Sequence, residues 1–228
     1  MPPVSFSELE TAVAAAGLIL RGGFHPRAED AVPGDPATLI LVGNAGPAFW
    51  HAFTRERRNE KSPMDAWTKR TVETFAAGLG ARAMYPFEGP PYLPFQHWAQ
   101  HCEPVHPSPI GALIHPVYGL WHAYRAALAF DEKISLPEKG TAPSPCDTCA
   151  DKPCLNTCPV GAFTPNSSPV SYNVPACADF LASTEGEDCL DFGCAARRAC
   201  PVGRDYIYPP AQARFHMDAF NMAHGRAD

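Results

Sequence analysis

Eight of the nine cysteines in this 228-residue chain fall after residue 145, and their spacing limits what the last third can become. The first group runs Cys146-x2-Cys149-x4-Cys154-x3-Cys158-Pro159, and the second Cys177-x11-Cys189-x4-Cys194-x5-Cys200-Pro201. Thiolates are soft, charged donors, and four of them close each cubane of a [4Fe–4S] cluster. Close spacing lets one loop wrap three corners of a cluster, while a distant Cys-Pro supplies the fourth corner of the other, as in two-cluster ferredoxins. On that scheme Cys146, Cys149, Cys154 and Cys200 hold one cluster. Cys158, Cys177, Cys189 and Cys194 hold the other. Zinc and disulfides are the alternatives. Zinc favours paired C-x2-C knuckles, often with histidine, whereas only one C-x2-C occurs here and no histidine lies between residues 146 and 200.

Composition narrows the class of protein. A hydrophobic content of 46% is enough for a packed core. The net charge of -6 and a pI near 5.8 argue against a nucleic-acid partner, which calls for a basic face. The one basic run, Arg55-Glu-Arg57-Arg58, ends a helical pattern and suits a helix C-terminus. The first residues, Met1-Pro-Pro-Val-Ser-Phe-Ser-Glu, have neither the basic start nor the apolar stretch of an export signal. No apolar run is long enough to span a bilayer. The expectation is a cytoplasmic protein without a membrane partner, whose thiols stay reduced; that weighs against disulfides.

Before the cysteines the pattern mixes helices and strands, which predicts an α+β fold. Residues 5–20 read as an amphipathic helix with Ser5 or Ser7 as cap and Gly17 near its end. Thr38–Val42 is an apolar, β-branched run that suits a buried central strand. Gly43-Asn-Ala-Gly46 reads as a turn into a helix over 47–58, and Asp65 as the N-cap of a helix through Phe75. A short strand is expected at Ala81–Tyr85. Residues 86–112 are proline-rich and aromatic, with one helical turn near 95–101, and ordered structure resumes over 113–130. A polar linker over 131–145 suggests domains at 1–138 and 139–208, with a tail at 209–228.

The cysteine part resembles the ferredoxin unit of epoxyqueuosine reductase. The resemblance rests on Cys146-Asp-Thr-Cys149 through Cys158-Pro-Val-Gly-Ala-Phe163, on Cys177-Ala-Asp-Phe-Leu, and on Gly193-Cys194 through Cys200-Pro201. It covers about residues 141–206 and departs in wider gaps and in the Asp179–Asp188 segment; reductive dehalogenases have a related arrangement. That reductase depends on cobalamin, so the resemblance implies a two-cluster ferredoxin domain serving a corrinoid.

Ile114-His115-Pro116-Val-Tyr118-Gly119-Leu-Trp121-His-Ala-Tyr124-Arg125 is the most distinctive earlier string. Alone it reads as a turn at Pro116 and Gly119 followed by an aromatic strand or helix. Arg125 amid alanine and leucine calls for an anionic partner, a carboxylate or a ligand. The string is similar to one in the methylmalonic aciduria and homocystinuria type C cobalamin-processing family. That similarity implies a nitroreductase-like fold over residues 5–130. It makes Arg125, His115, Tyr118, Trp121 and Gln96 the candidate cofactor-binding residues, Arg125 near a thiol cosubstrate. His115 also reads as a structural hydrogen-bonder, and Cys102 as a buried or half-exposed free thiol. Asp65 and Glu88 are available as general acids, although a capping role and solvent exposure explain them as well.

Together these features suggest an iron–sulfur redox protein that receives electrons from a ferredoxin- or flavodoxin-type donor and passes them to a corrinoid or small-molecule substrate. A plain electron carrier docking a partner protein and a corrinoid-trafficking chaperone are the rival classes.

Overall fold

The structure, a computed structural model, describes residues 4–164 and 171–225. It divides into two compact units. The first joins the described residues up to Pro104 to His122–Ala142; the second joins Val105–Trp121 to the described residues from Pro143 onward. In chain order the first elements are α1 (Phe6–Ala15), β1 (Ile19–Phe24), β2 (Thr38–Ala45), α2 (Ala48–Glu56), α3 (Pro63–Gly78) and β3 (Arg82–Met84). There follow α4 (Phe95–Cys102), β4 (His106–Pro107), β5 (Leu113–Ile114) and β6 (His122–Phe130). The cysteine-rich part holds α5 (Pro153–Asn156), β7 (Phe163–Thr164), β8 (Ser171–Tyr172), α6 (Val174–Leu181), α7 (Glu187–Phe192), α8 (Ala195–Arg198) and α9 (Pro210–His224). The mixture of helix and sheet is of the α+β kind.

The first unit is a wholly antiparallel sheet in the order β1-β2-β6-β3, against which the four helices α1 to α4 pack. β2 is central and buried from Thr38 to Asn44, which is why its sequence is a continuous apolar run. Gly43 and Asn44 extend this strand instead of turning, and only Gly46 turns. A Cβ on Gly43 would lie 2.1 Å from the Ala123 carbonyl oxygen, so the glycine lets β6 close in at the register shift beside Val42.

α1 starts where expected. Ser5 Oγ accepts the Glu8 N–H and the Glu8 carboxylate accepts the Ser5 N–H, a capping box that holds the Glu8 carboxyl below its usual range. The helix stops at Ala15, however, because Gly17 takes a left-handed conformation (φ 75°) and Ile19–Phe24 joins the sheet as β1. Sheet pairing overrides the helical spacing of Leu18 and Leu20. α3 begins at Pro63, three residues earlier than an Asp65 cap requires, with Ser62 as N-cap. Proline's fixed φ favours the first helical position, which leaves Asp65 in the first turn.

β1 carries a charge that the apolar pattern hid. Arg21 is 1% exposed. Its Nε donates to Glu103 Oε2 at 3.1 Å, its Nη1 to the Asn44 carbonyl at 3.3 Å, and its Nη2 to the other Glu103 oxygen. His122 Nδ1 lies 3.2 Å from Nη2; arginine only donates, so Nδ1 accepts and the imidazole proton sits on Nε2. Tyr124 donates its hydroxyl to Glu103 and lies under the guanidinium, and burial pushes its pKa up.

The second unit has little regular sheet: β4–β5 and β7–β8 are two-stranded ribbons. Short helices separate the cysteines, and residues 210–224, set apart in sequence as a tail, form the 15-residue α9 packed on α6 and α7. The segment 105–121, expected with the first domain, clusters here instead.

Replacing Glu103 with Gln removes the carboxylate that neutralises buried Arg21. We expect Glu103→Gln to cost about 3–5 kcal/mol in urea denaturation. Arg21→Met combined with Glu103→Leu should restore most of that loss.

Candidate metal centres

The cysteines gather in two sets that interleave along the chain. Cys146, Cys149, Cys154 and Cys200 line one small cavity, whose remaining wall includes Pro109, Ile114 and Val202. α5 carries Cys154 and packs on α8, which leads to Cys200. Burial pushes the Cys146, Cys154 and Cys200 thiols above their ordinary pKa, and Cys149 adds to the rise in each. The Ser144 hydroxyl at Cys146 and the Val202 N–H at Cys200 oppose it.

Cys158, Cys177, Cys189 and Cys194 form the other set. Burial raises the Cys177 and Cys194 thiols, and Cys189 adds to both. Cys158 adds to Cys177. Three donors work the other way: the Tyr172 hydroxyl on Cys177 and the Ala196 and Arg197 N–H groups on Cys194. The Ala162 N–H donates to Cys158 Sγ at 3.4 Å. Tyr172 lies on β8, held against Phe163 of β7 by a stack at 4.9 Å.

The spacing of the sulfurs tests the alternatives. All nine cysteines are free, so none forms a disulfide. A single zinc ion with Zn–S bonds of about 2.3 Å would hold its sulfurs about 3.8 Å apart. Among the described residues, no three cysteine sulfurs lie within 4.8 Å of one another. Thiolates around a cubane stand farther apart, because a body of eight atoms lies between them. Two sets of four free cysteines, each with N–H or O–H donors on sulfur, are a donor set that such a cluster takes.

Cys200 reaches its set through two glycines. Gly119 (φ 58°) and Gly203 (φ 74°) stand back to back. A Cβ on Gly203 would lie 2.3 Å from the Tyr118 carbonyl oxygen, and one on Gly119 would lie 2.0 Å from that of Val202. The turn at 116–119 is itself held by His115, whose Nδ1 accepts the Val117 and Tyr118 N–H groups at 3.0 and 3.1 Å. Ile114 and Leu120 pack with Cys200 beside it. Arg197 lies over both the Trp121 and Tyr208 rings, 4.5 and 4.7 Å from their centroids, and its Nε donates to the Leu120 carbonyl at 3.0 Å. Sequence inspection missed this clamp, because nothing in the spacing links Arg197 to Leu120.

The candidate corrinoid residues divide between the units. His115, Tyr118 and Trp121 belong to the second, where Trp121 is buried against Tyr208 and Ala213 and the His115 ring stacks on Tyr118 at 4.3 Å. Gln96 and Arg125 belong to the first. Gln96 is exposed on α4. Arg125 Nε donates to Asn44 Oδ1 at 3.1 Å, its guanidinium lies over Phe49, and its charge opposes the rise that burial imposes on the Asp65 carboxyl. Within neither unit do the five residues make one cradle for a flat macrocycle. Cys102 is buried, its thiol pushed up by burial, and Glu88 pairs with Lys69 at the surface.

No family model matches the chain, and no curated protein matches it. Solved structures of epoxyqueuosine reductase are similar in fold. The enzyme from Streptococcus thermophilus superposes with a TM-score of 0.52 at 14% identity, over 91% of this chain and 69% of that one. A structure of the reductase with an epoxyqueuosine-modified tRNA-Tyr stem loop gives 0.50 at 14%, over 91% and 70%. The Bacillus subtilis enzyme gives 0.50 at 14%, over 89% and 66%. At this identity the likeness is one of fold. The similarity seen in sequence to the cobalamin-processing family has no counterpart among these matches. No helix of the described residues is long and apolar enough to cross a membrane.

Gly203→Ala tests how Cys200 is placed. The added methyl must move the Cys200–Gly203 segment off the 116–119 turn, and about 3 kcal/mol or more of stability should be lost. Thermal denaturation reads this, and metal retained by the Cys146 set should fall with it.

Proposed function

We propose that the chain is an oxidoreductase-type electron-transfer protein whose second unit holds two [4Fe–4S] clusters. The observation that carries this reading is the gathering of eight free cysteines into two interleaved sets of four. The similarity in fold to epoxyqueuosine reductase supports it.

Cys146, Cys149, Cys154 and Cys200 would hold one cluster, and Cys158, Cys177, Cys189 and Cys194 the other. Such clusters supply one-electron transfer at a potential set by charge, hydrogen bonds to sulfur and exposure. The protein's own part is visible in the donors. The Ser144 and Tyr172 hydroxyls and the N–H groups of Ala162, Ala196, Arg197 and Val202 stabilise thiolate charge. Hydrogen bonds of this kind favour the reduced, more negative state. Ile114, Val202 and Pro109 give the Cys146 set an apolar wall. A ferredoxin- or flavodoxin-type protein is the donor this chemistry calls for, and a cytoplasmic setting keeps the thiols reduced.

Anaerobically prepared protein should contain about eight irons and as much sulfide per chain. Cys154→Ser should lower iron to about four while the signals of the other cluster persist. Stoichiometric zinc in place of iron would overturn the reading.

A corrinoid as electron acceptor is a second reading, which rests on the resemblances in sequence alone. The five residues assigned to it do not form a cradle within one unit, so no step is derived through it. Titration of the iron-loaded protein with cob(II)alamin tests it. Binding should shift the corrinoid spectrum with a Kd of about 10 μM or below, equivalent to about 7 kcal/mol. An unchanged spectrum would leave electron transfer to another partner.

A further inference from the structure

The first unit carries a second cluster of metal-ligating side chains, far from cysteine chemistry in character. Asp30 sits in a short 3-10 turn over Ala28–Asp30, and His97 and His101 lie one helical turn apart on α4. Their i, i+4 spacing puts both imidazoles on one face. His97 Nε2 lies 3.2 Å from Asp30 Oδ1, and His101 Nε2 lies 3.4 Å from the same oxygen. All three donor atoms are within 4.8 Å of one another.

We propose that Asp30, His97 and His101 form a zinc(II) site with one coordination position open to solvent. Ligands about 2.0 Å from a tetrahedral ion are about 3.3 Å apart, which matches both measured edges. An octahedral ion would need bonds of about 2.3–2.4 Å to give the same edges, long for imidazole, so zinc fits better than a facial iron site. Two imidazoles and a carboxylate are also a donor set that zinc takes when it keeps a position for water.

The surroundings orient the ligands. Asp30 is 2% exposed, and its Oδ2 accepts the Arg27 N–H at 2.8 Å, which turns Oδ1 toward the histidines. The Asp30 carbonyl accepts the Trp98 Nε1–H at 2.8 Å, tying the turn to α4. The Phe24 ring packs on His101 with centroids 5.0 Å apart. His97 and His101 remain half exposed, so an ion has a path in and a fourth ligand can come from water. Outer contacts of this kind are what fix ligand direction in metal sites.

The proposal is independent of the iron–sulfur reading. Full-length, iron-loaded protein is given one equivalent of zinc(II) and followed by competition titration and zinc-edge X-ray absorption. The expected result is one zinc per chain with only nitrogen and oxygen neighbours near 2.0 Å. His97→Ala/His101→Ala should weaken binding about 100-fold or more while iron content stays unchanged. Both histidines are half exposed, so the fold should tolerate the change, and the absorption experiment on the unaltered protein does not depend on it. Zinc–sulfur neighbours near 2.3 Å, no uptake at micromolar zinc, or equal affinity in the double variant would overturn it.

Discussion

The back-to-back contact of the turn at 116–119 with the Cys200–Gly203 segment governs the second unit. Cys200 is separated by about fifty residues from the cysteines whose cavity it completes, and only a firm stop can bring it there. Two glycines with positive φ allow the two backbones to touch, at a distance any side chain would forbid. The His115 imidazole holds the turn from within, and Arg197 clamps the Leu120 carbonyl from outside. Ile114, Leu120 and Val202 then pack about Cys200. A segment that precedes the cysteines by some thirty residues is thereby part of their housing.

The first unit answers to a different constraint, that of charge inside a sheet. β2 is buried along nearly its whole length, and Asn44 near its end serves two cations: its carbonyl accepts from Arg21 and its side-chain oxygen from Arg125. Glu103 neutralises Arg21 at the cost of desolvation, which the extra hydrogen bonds from Tyr124 and to His122 offset. Such a network contributes less to net stability than apolar residues of equal volume can, yet it leaves one arrangement in which every buried charge is met.

Much of this was legible from residues alone where the signal is local. The run Thr38–Val42 is buried and central as its composition implies, and Ser5 with Glu8 caps α1. Errors arose where partners are distant. The helix over 5–20 overran because Ile19–Phe24 has a strand partner in β2 that spacing does not reveal. Asp65 was read as a cap although Pro63 had already started α3. The string from Ile114 to Arg125 looked like one motif, but the chain passes from one unit to the other between Trp121 and His122. Arg21, Asp30 and Arg197 drew no notice, since each has its partners far away in sequence.

The sequence by itself determined the inventory of chemistry: eight thiols in two spaced groups, an apolar strand, and a capped first helix. Residue type and short spacing are local properties and survive without coordinates. The tertiary structure decided which groups meet. It seated Cys200 beside Ile114 through two glycines and turned one oxygen of Asp30 toward His97 and His101. Those meetings depend on backbone closure over long loops, where steric fit at a few atoms selects the partner and no local pattern records it.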